Sequence, residues 1–284
     1  MSSSDSSITH VSDTALWVAT YRALESERPD ALFRDPLAGI LTGERGRKIA
    51  AQMSYEKFMA WLMVVRTVAI DELIKRAIGL GIDTVVNLGA GLDTRPYRMD
   101  LPSSLRWIEI DFPHMIQYKA EKLKTEIPVC RLERIPADLS DVPLRRTIFA
   151  RIGSESKKAL IITEGVIPYL SATDAEALSC DLFAVPSFQF WIMDYRQGGV
   201  RQMSSPKLRR LLKDSPFKFD VVDSLGFFKQ QGWKILEKRL AADEAQRIHR
   251  PFPFIFPWTL LLMALPKKAR EKYRNAAGYV MYGK

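Results

Sequence analysis

In Thr84-Val85-Val86-Asn87-Leu88-Gly89-Ala90-Gly91-Leu92-Asp93-Thr94 a short apolar run passes directly into a pair of glycines. Thr84 to Leu88 reads as a strand, and Gly89 and Gly91 stand where a backbone must turn sharply and approach a ligand closely. A dinucleotide fingerprint wants a third glycine three residues after Gly91, and Thr94 stands there. The pyrophosphate cradle is therefore broken, which disfavours a nicotinamide-dependent oxidoreductase.

Outward from this turn, strand and helix signals alternate. Upstream, Tyr55 to Ile78 is too apolar for a surface helix and reads as a helix packed on most of its faces. Downstream, Trp107 to Ile110 reads as a second strand and Pro113 to Leu123 as a helix. Further strands are expected at Cys130 to Arg134, Ala159 to Thr163 and Phe188 to Met193, with a helix over Ala172 to Phe183. Past Tyr195 the rhythm breaks into a polar, basic stretch at Met203 to Lys213. A helix leading to Gly232, a strand at Trp233 to Leu240, a Pro- and Phe-rich loop at Pro251 to Trp258 and a closing strand at Gly278 to Tyr282 follow. Alternation of this kind predicts a doubly wound, mostly parallel α/β sheet in one domain, with an irregular lid over the carboxyl ends of the strands. The expected divisions are N-terminal helices over 1–80, a core over 81–195, and lid and closing strands over 196–284.

Several charged residues sit where a ligand would be met. A ligand without a diphosphate, adenosine with an amino-acid tail, needs close backbone approach but no phosphate cradle, and S-adenosylmethionine is the common ligand of that description. Asp111 ends the second strand twenty residues after Gly91, the place at which a carboxylate accepts from ribose hydroxyls; a helix cap before Pro113 is the competing role. Arg66 lies inside the apolar run Trp61 to Ile70 and requires an anionic partner, either a ligand carboxylate or a protein Asp or Glu. Glu164 closes the strand at Ala159 to Thr163 beside Gly165, placed for an ammonium or sulfonium group or for capping a helix. Asp138 follows the third strand, where an adenine amino group or an ordinary turn would explain it.

Composition narrows the classes. The 284 residues are 47% hydrophobic and 26% charged, which excludes disorder and coiled coil as the main architecture. Three His and two Cys, Cys130 and Cys180, leave little for a zinc site, and no metal is expected. Unpaired cysteines fit a reducing cytoplasm. No secretion signal or transmembrane stretch of about 20 apolar residues is read. The net charge of +9 is scattered, so a basic soluble surface is preferred to nucleic-acid binding. Oligomeric state is not legible.

The strings Arg66-Thr67 with Asp71, Val85 to Arg98, Trp107 to Pro113 with Lys119, and Thr163-Glu-Gly-Val-Ile-Pro-Tyr-Leu170 resemble the family of leucine carboxyl methyltransferases and polyketide-type O-methyltransferases. The resemblance runs from about Arg34-Asp-Pro36 to Gly278-Tyr279. It implies a class I S-adenosylmethionine-dependent methyltransferase with a Rossmann-like seven-stranded sheet. It further implies that Arg66 binds the cofactor carboxylate, Gly89 and Gly91 pass beside the cofactor, Asp111 binds ribose, Asp138 and Leu139 flank adenine, and Glu164 lies near the amino group. Asn87 departs from the acid usual in the glycine turn. The compact length is similar to the branch acting on small molecules, at a carboxyl or hydroxyl oxygen; a protein C-terminal carboxylate, or binding without catalysis, are the alternatives. A carboxylate acceptor needs no base, whereas a hydroxyl would, and His249 is the candidate base. Tyr169, Tyr195 and Arg196 follow strand ends and are candidates to orient a substrate. Phe252 to Leu265, followed by Lys267, Lys268 and Arg270, reads as lid and pocket wall or as a membrane-touching surface.

Overall fold

The computed structural model describes residues 11–52, 56–199, 216–251 and 266–284. Three helices come first, α1 (Val11–Ser26), α2 (Pro36–Gln52) and α3 (Glu56–Gly79). They share a core in which Leu16, Trp17 and Tyr21 meet Leu37, Leu41, Met59 and Met63. The alternating part follows as β1 (Thr84–Leu88), α4 (Arg95–Arg98), β2 (Arg106–Asp111), α5 (Pro113–Lys122), β3 (Arg131–Pro136), α6 (Val142–Glu155) and β4 (Ala159–Thr163). A single 3-10 turn at Ile167–Tyr169, α7 (Ala172–Ala184) and β5 (Phe188–Arg196) complete it. The last part holds α8 (Ser224–Lys229), β6 (Lys234–Leu240), α9 (Ala241–Arg247), α10 (Lys267–Arg274) and β7 (Ala277–Gly283).

The seven strands form one sheet in the order β3-β2-β1-β4-β5-β7-β6, in which β7 alone runs antiparallel to its neighbours. The expected α/β, Rossmann-like sheet of seven strands is therefore present. Strands β1 and β4 are fully buried because helices cover both faces. The chain order reverses between β1 and β4, and a sheet of this kind opens a crevice at the carboxyl ends of those strands.

Strand alternation sorts the side chains to two cores. Val86, Ile108, Ile161, Trp191 and Val280 face one layer. Val85, Trp107, Leu160, Ile162, Ile192, Tyr279 and Met281 face α3, through Val65, Ala69, Leu73 and Ala77. Carried on toward the carboxyl ends, the face under α3 bears Asn87, Glu109 and Asp111, then Glu164, then Asp194 and Arg196, with Tyr279 opposite Asp194 on β7. An apolar face thus becomes a polar row at the edge where the crevice opens.

The expected helix at Tyr55 to Ile78 corresponds to α3, and the expected strands differ from the observed ones by a few residues at their ends. Strand β5 continues three residues past Met193 because it pairs with β7 as far as Arg196 opposite Ala277, so Tyr195 and Arg196 lie within a strand. Helix α6 was not expected. Its stripe of Ile148, Phe149 and Ile152 is interrupted by Arg145, which is buried all the same because it pairs with Asp181 of α7. The stretches read as lid, at 203–213 and 252–258, and the apolar segment 252–265 lie outside the described residues. Among the described residues, no helix is long and apolar enough to cross a membrane.

Candidate functional site

Both glycines of the turn are left-handed, Gly89 at φ 62° and Gly91 at φ 48°. A Cβ at Gly89 would stand 2.6 Å from Val166 Cγ2, so no other residue fits without displacing the loop after β4. The turn hangs on β2: the N–H groups of Gly89 and Ala90 donate to Ile110 O at 2.8 and 3.3 Å. Asp111 fastens it further, its Oδ2 accepting from Gly91 N at 2.6 Å and its Oδ1 from Phe112 N at 2.7 Å. Burial pushes the Asp111 carboxyl above its ordinary range, against the pull of these two N–H groups. Phe112, not Asp111, occupies the cap position of α5, so the carboxylate serves the glycine turn.

Across the crevice, Arg66 of α3 points at the sheet edge. Its Nε lies 2.8 Å from Glu164 Oε1, and its Nη1 lies 3.8 Å from Asp194 Oδ2. Asp194 is positioned by Gly165, whose N–H donates to Oδ1 at 2.7 Å. The other oxygen of Glu164 meets Arg95 Nη1 at 2.8 Å. Burial opposes ionisation of Glu164, but Arg95 and Arg66 hold its carboxyl below the ordinary value.

Arg95 is the hub behind this pair. It is held by Asp71 at 2.6 Å and by Asp93 at 2.8 Å. Asp71 also takes Arg98 at 2.6 and 3.0 Å, and Arg22 of α1 takes Asp35 at 2.8 Å while donating to Leu92 O. Asn87 donates to Asp93 at 2.8 Å, so the uncharged residue at this place is a donor to the acid six residues on. Asp93 is buried, which alone would raise its pKa, yet Arg95, Lys119, Arg22 and Arg98 drive it far below the carboxylate range. Buried charges of this density are tolerable only when each is paired.

The structure gathers Gly89, Gly91, Asp111, Arg66 and Glu164 along one crevice edge. Tyr169 joins them: it ends the 3-10 turn, packs on Phe217 at 5.1 Å between ring centres, and bonds to Thr14, with burial raising its phenol pKa. Asp138 is exposed and accepts from Ser140 N at 2.8 Å, an ordinary turn geometry, although Ala137 before it donates to Asp111 O at 2.9 Å and keeps it beside the site. Leu139 is half-buried, its carbonyl accepting from Arg145. His249 is not brought to the cluster. It is exposed, at φ 54°, beyond α9, where Trp61 donates to the carbonyl of Arg250.

Sequence reasoning assigned no role to Asp71, Asp93, Arg95, Asp194 or Tyr279. Asp194 carried a signal like that of Asp111, a carboxylate directly after the largely apolar run Phe188 to Met193. Asp71 lies five residues from Arg66 on a packed helix and carried the signal that exposed Arg66, a charge in an apolar setting.

Residues 15–182 match the family model described as leucine carboxyl methyltransferase. A Frankia alni protein, provisionally named an S-adenosyl-L-methionine-dependent methyltransferase, is 31% identical over 259 residues, covering 84% of this chain and 89% of that one. A Mycobacterium avium protein of the same provisional name is 33% identical over 280 residues, covering 86% and 85%. Another Frankia alni relative, also so named, is 37% identical over 180 residues, and there the match spans only 61% of the relative's length. Among solved structures, a Streptomyces avermitilis protein described as of the DUF574 family superposes with a TM-score of 0.52 at 15% identity, covering 94% of this chain and 96% of that one. A Thermobifida fusca protein provisionally described as a methyltransferase gives 0.51 at 16% identity, covering 94% of each. These last two are likenesses of fold.

Proposed function

The chain belongs to the leucine carboxyl methyltransferase family, and from that membership we propose that it is an S-adenosylmethionine-dependent O-methyltransferase acting on a carboxyl or hydroxyl oxygen of a small molecule. The observation that carries the reading is the single polar edge on which Asp111, the left-handed Gly89 and Gly91, Arg66 and Glu164 meet. That edge fits the cofactor. An ionised Asp111 spends one oxygen on each of two backbone N–H groups and keeps lone pairs for ribose hydroxyls. The absent Cβ at Gly89 leaves room for close approach of a ligand. Arg66 engages Glu164 through Nε and keeps N–H groups for a carboxylate, while Glu164 and Asp194 supply acceptors for an ammonium group. Asp138 and Leu139 stand at the end of β3 for the adenine.

When bound, S-adenosylmethionine supplies a methyl group on a sulfonium, open to in-line displacement by an oxygen held about 3 Å away. The chain has to orient that oxygen and exclude water. Tyr169, whose half-buried phenol stays protonated, donates a hydrogen bond and does not take a proton. His249 is exposed and lies outside the cluster, and an acceptor that arrives ionised suits the edge best.

Calorimetric titration of S-adenosylmethionine and S-adenosylhomocysteine into wild type and Asp111→Ala tests this. Micromolar binding weakened roughly tenfold or more by the substitution, about 1.4 kcal/mol, is the expected result. Absence of binding to either ligand by the wild type would defeat the reading.

A further inference from the structure

Arg196 ends β5 two residues beyond Asp194, so alternation turns it to the face under α3 that carries Asp194 and its cross-strand neighbour Tyr279. The other arginines of this region are committed: Arg66 to Glu164, Arg95 to Asp71, Asp93 and Glu164, Arg98 to Asp71, and Arg22 to Asp35. Asp194, the acid that attracts it, is taken by Gly165 N–H and faces Arg66. Arg196 makes no hydrogen bond or ion pair with any described residue. Beside it, the Tyr279 hydroxyl is buried and has no hydrogen-bond partner among the described residues. Tyr169 and Arg66 lie within the electrostatic reach of the same guanidinium.

Arg196 is half-buried and keeps N–H donors that no described residue takes, and a buried hydroxyl without a partner is costly. Burial and the nearby Arg66 both destabilise the charge on Arg196, against the attraction of Asp194. Burial also raises the Tyr279 phenol well above its usual value, so it remains a donor. Two unmatched donors on one face call for an acceptor that carries negative charge.

We propose that Arg196 and the Tyr279 hydroxyl anchor an anionic group of the methyl acceptor, and so select acids over their neutral analogues. Arg196 is then the specificity-determining residue on the acceptor side, where a planar guanidinium grips a carboxylate-like group through two parallel N–H bonds. A site built around donors rejects a ligand that lacks their acceptor far more strongly than an apolar pocket discriminates by size. This assignment rests on the methyl-transfer reading above, because it takes the other half of the crevice to be filled by the cofactor.

The test uses the full chain saturated with S-adenosylhomocysteine, titrated calorimetrically with octanoate and benzoate beside octanamide and benzamide. These probes suit the aromatic wall made by Tyr169 and Phe217. At least one carboxylate is expected to bind roughly tenfold or more tighter than its amide. Arg196→Gln should abolish that preference while leaving the affinity for S-adenosylhomocysteine within about twofold, Arg196→Lys should restore part of it, and Tyr279→Phe should weaken it. The unchanged cofactor affinity shows that a variant is folded. Three outcomes overturn the proposal: no carboxylate preference in the wild type, a preference that survives in Arg196→Gln, or an Arg196→Gln variant whose loss falls on S-adenosylhomocysteine instead, which would assign the guanidinium to the cofactor. Failure of the wild type to bind S-adenosylhomocysteine defeats the methyl-transfer reading itself, a distinct result.

Discussion

Asp111 already accepts two N–H groups of its own chain, and a bound ribose would ask more of the same carboxylate. Its ionisation state therefore governs the site. Burial raises its folded pKa above the ordinary carboxylate value of about 3.9, and a protonated carboxyl loses acceptor capacity. Affinity for S-adenosylhomocysteine should be full at neutral pH and fall as pH drops through the raised value, by up to about tenfold for each unit below it. Asp111→Asn should bind more weakly and lose that part of the pH dependence, which calorimetry across a pH series reads directly. The effect on folding has the same cause. A carboxyl raised in the folded state contributes stability below its unfolded value and loses it as pH rises through the folded one, so in Asp111→Asn the gain from removing a buried charge at pH 7 is offset by the Gly91 or Phe112 N–H left facing an amide NH2. Residues of this type were legible because a carboxylate ending an apolar strand has no packing role to explain it. Arg66 was legible for the converse reason, a charge inside an apolar helix. His249 drew notice only as a titratable side chain, and a side-chain type carries no information about where the chain turns to place it.

Between elements, the clearest buried contact is Lys119 of α5 on Glu109 of β2, at 2.7 Å with side-chain exposures of 1% and 0%. Arg134 of β3 supports the same carboxylate at 3.0 Å, so α5, β2 and β3 are tied through one acid. Breaking a buried pair costs about 3–5 kcal/mol, and with Arg134 remaining Lys119→Met should cost about 3 kcal/mol in urea unfolding. The double variant Lys119→Met with Glu109→Gln should recover part of that loss, because the carboxylate left behind is the source of the penalty. Equal cost in the single and double variants would show that the lysine stem, not its charge, holds α5 to the sheet. The same pair explains what the sequence conceals at this scale. Strands β1 and β4 and helix α3 are mostly apolar stretches and were read with nearly the observed ends. Lys119 and Arg145 are charged residues on buried faces, each made tolerable by an acid distant in the chain, and no local periodicity announces the partner. That is why α6, with Arg145 in its apolar stripe, went unread.

Across the whole molecule, the N-terminal helices are bound to the crevice by charge as well as by packing. Arg22 and Asp35, from α1 and the loop before α2, reach Leu92 and Arg98, while Arg66 and Asp71 of α3 reach Glu164, Arg95 and Arg98. The edge proposed to hold the cofactor is thus also the joint between the helical layer and the sheet. Burial opposes ionisation of Asp35, Asp93 and Glu164, yet their arginine partners hold all three below the ordinary carboxylate values. For such groups the stability they contribute is present above the unfolded pKa and lost as pH falls through the folded one. Unfolding free energy should therefore hold level from about pH 8 to 5 and decline steeply below about pH 4, where unfolded carboxylates begin to take protons. Asp93→Asn isolates one member: it should cost about 3 kcal/mol at pH 7, since Arg95 keeps Asp71 and Glu164, and should lose less than the wild type on going to pH 3.5. Denaturant unfolding at the two pH values decides it. An unchanged acid decline in the variant would mean that the helical layer is held by its apolar core of Trp17, Tyr21, Leu41 and Met63 alone. A shallower one would mean that the charges forming the crevice also fasten the layer that covers it, so that a ligand drawing on Arg66 and Glu164 acts on the joint itself.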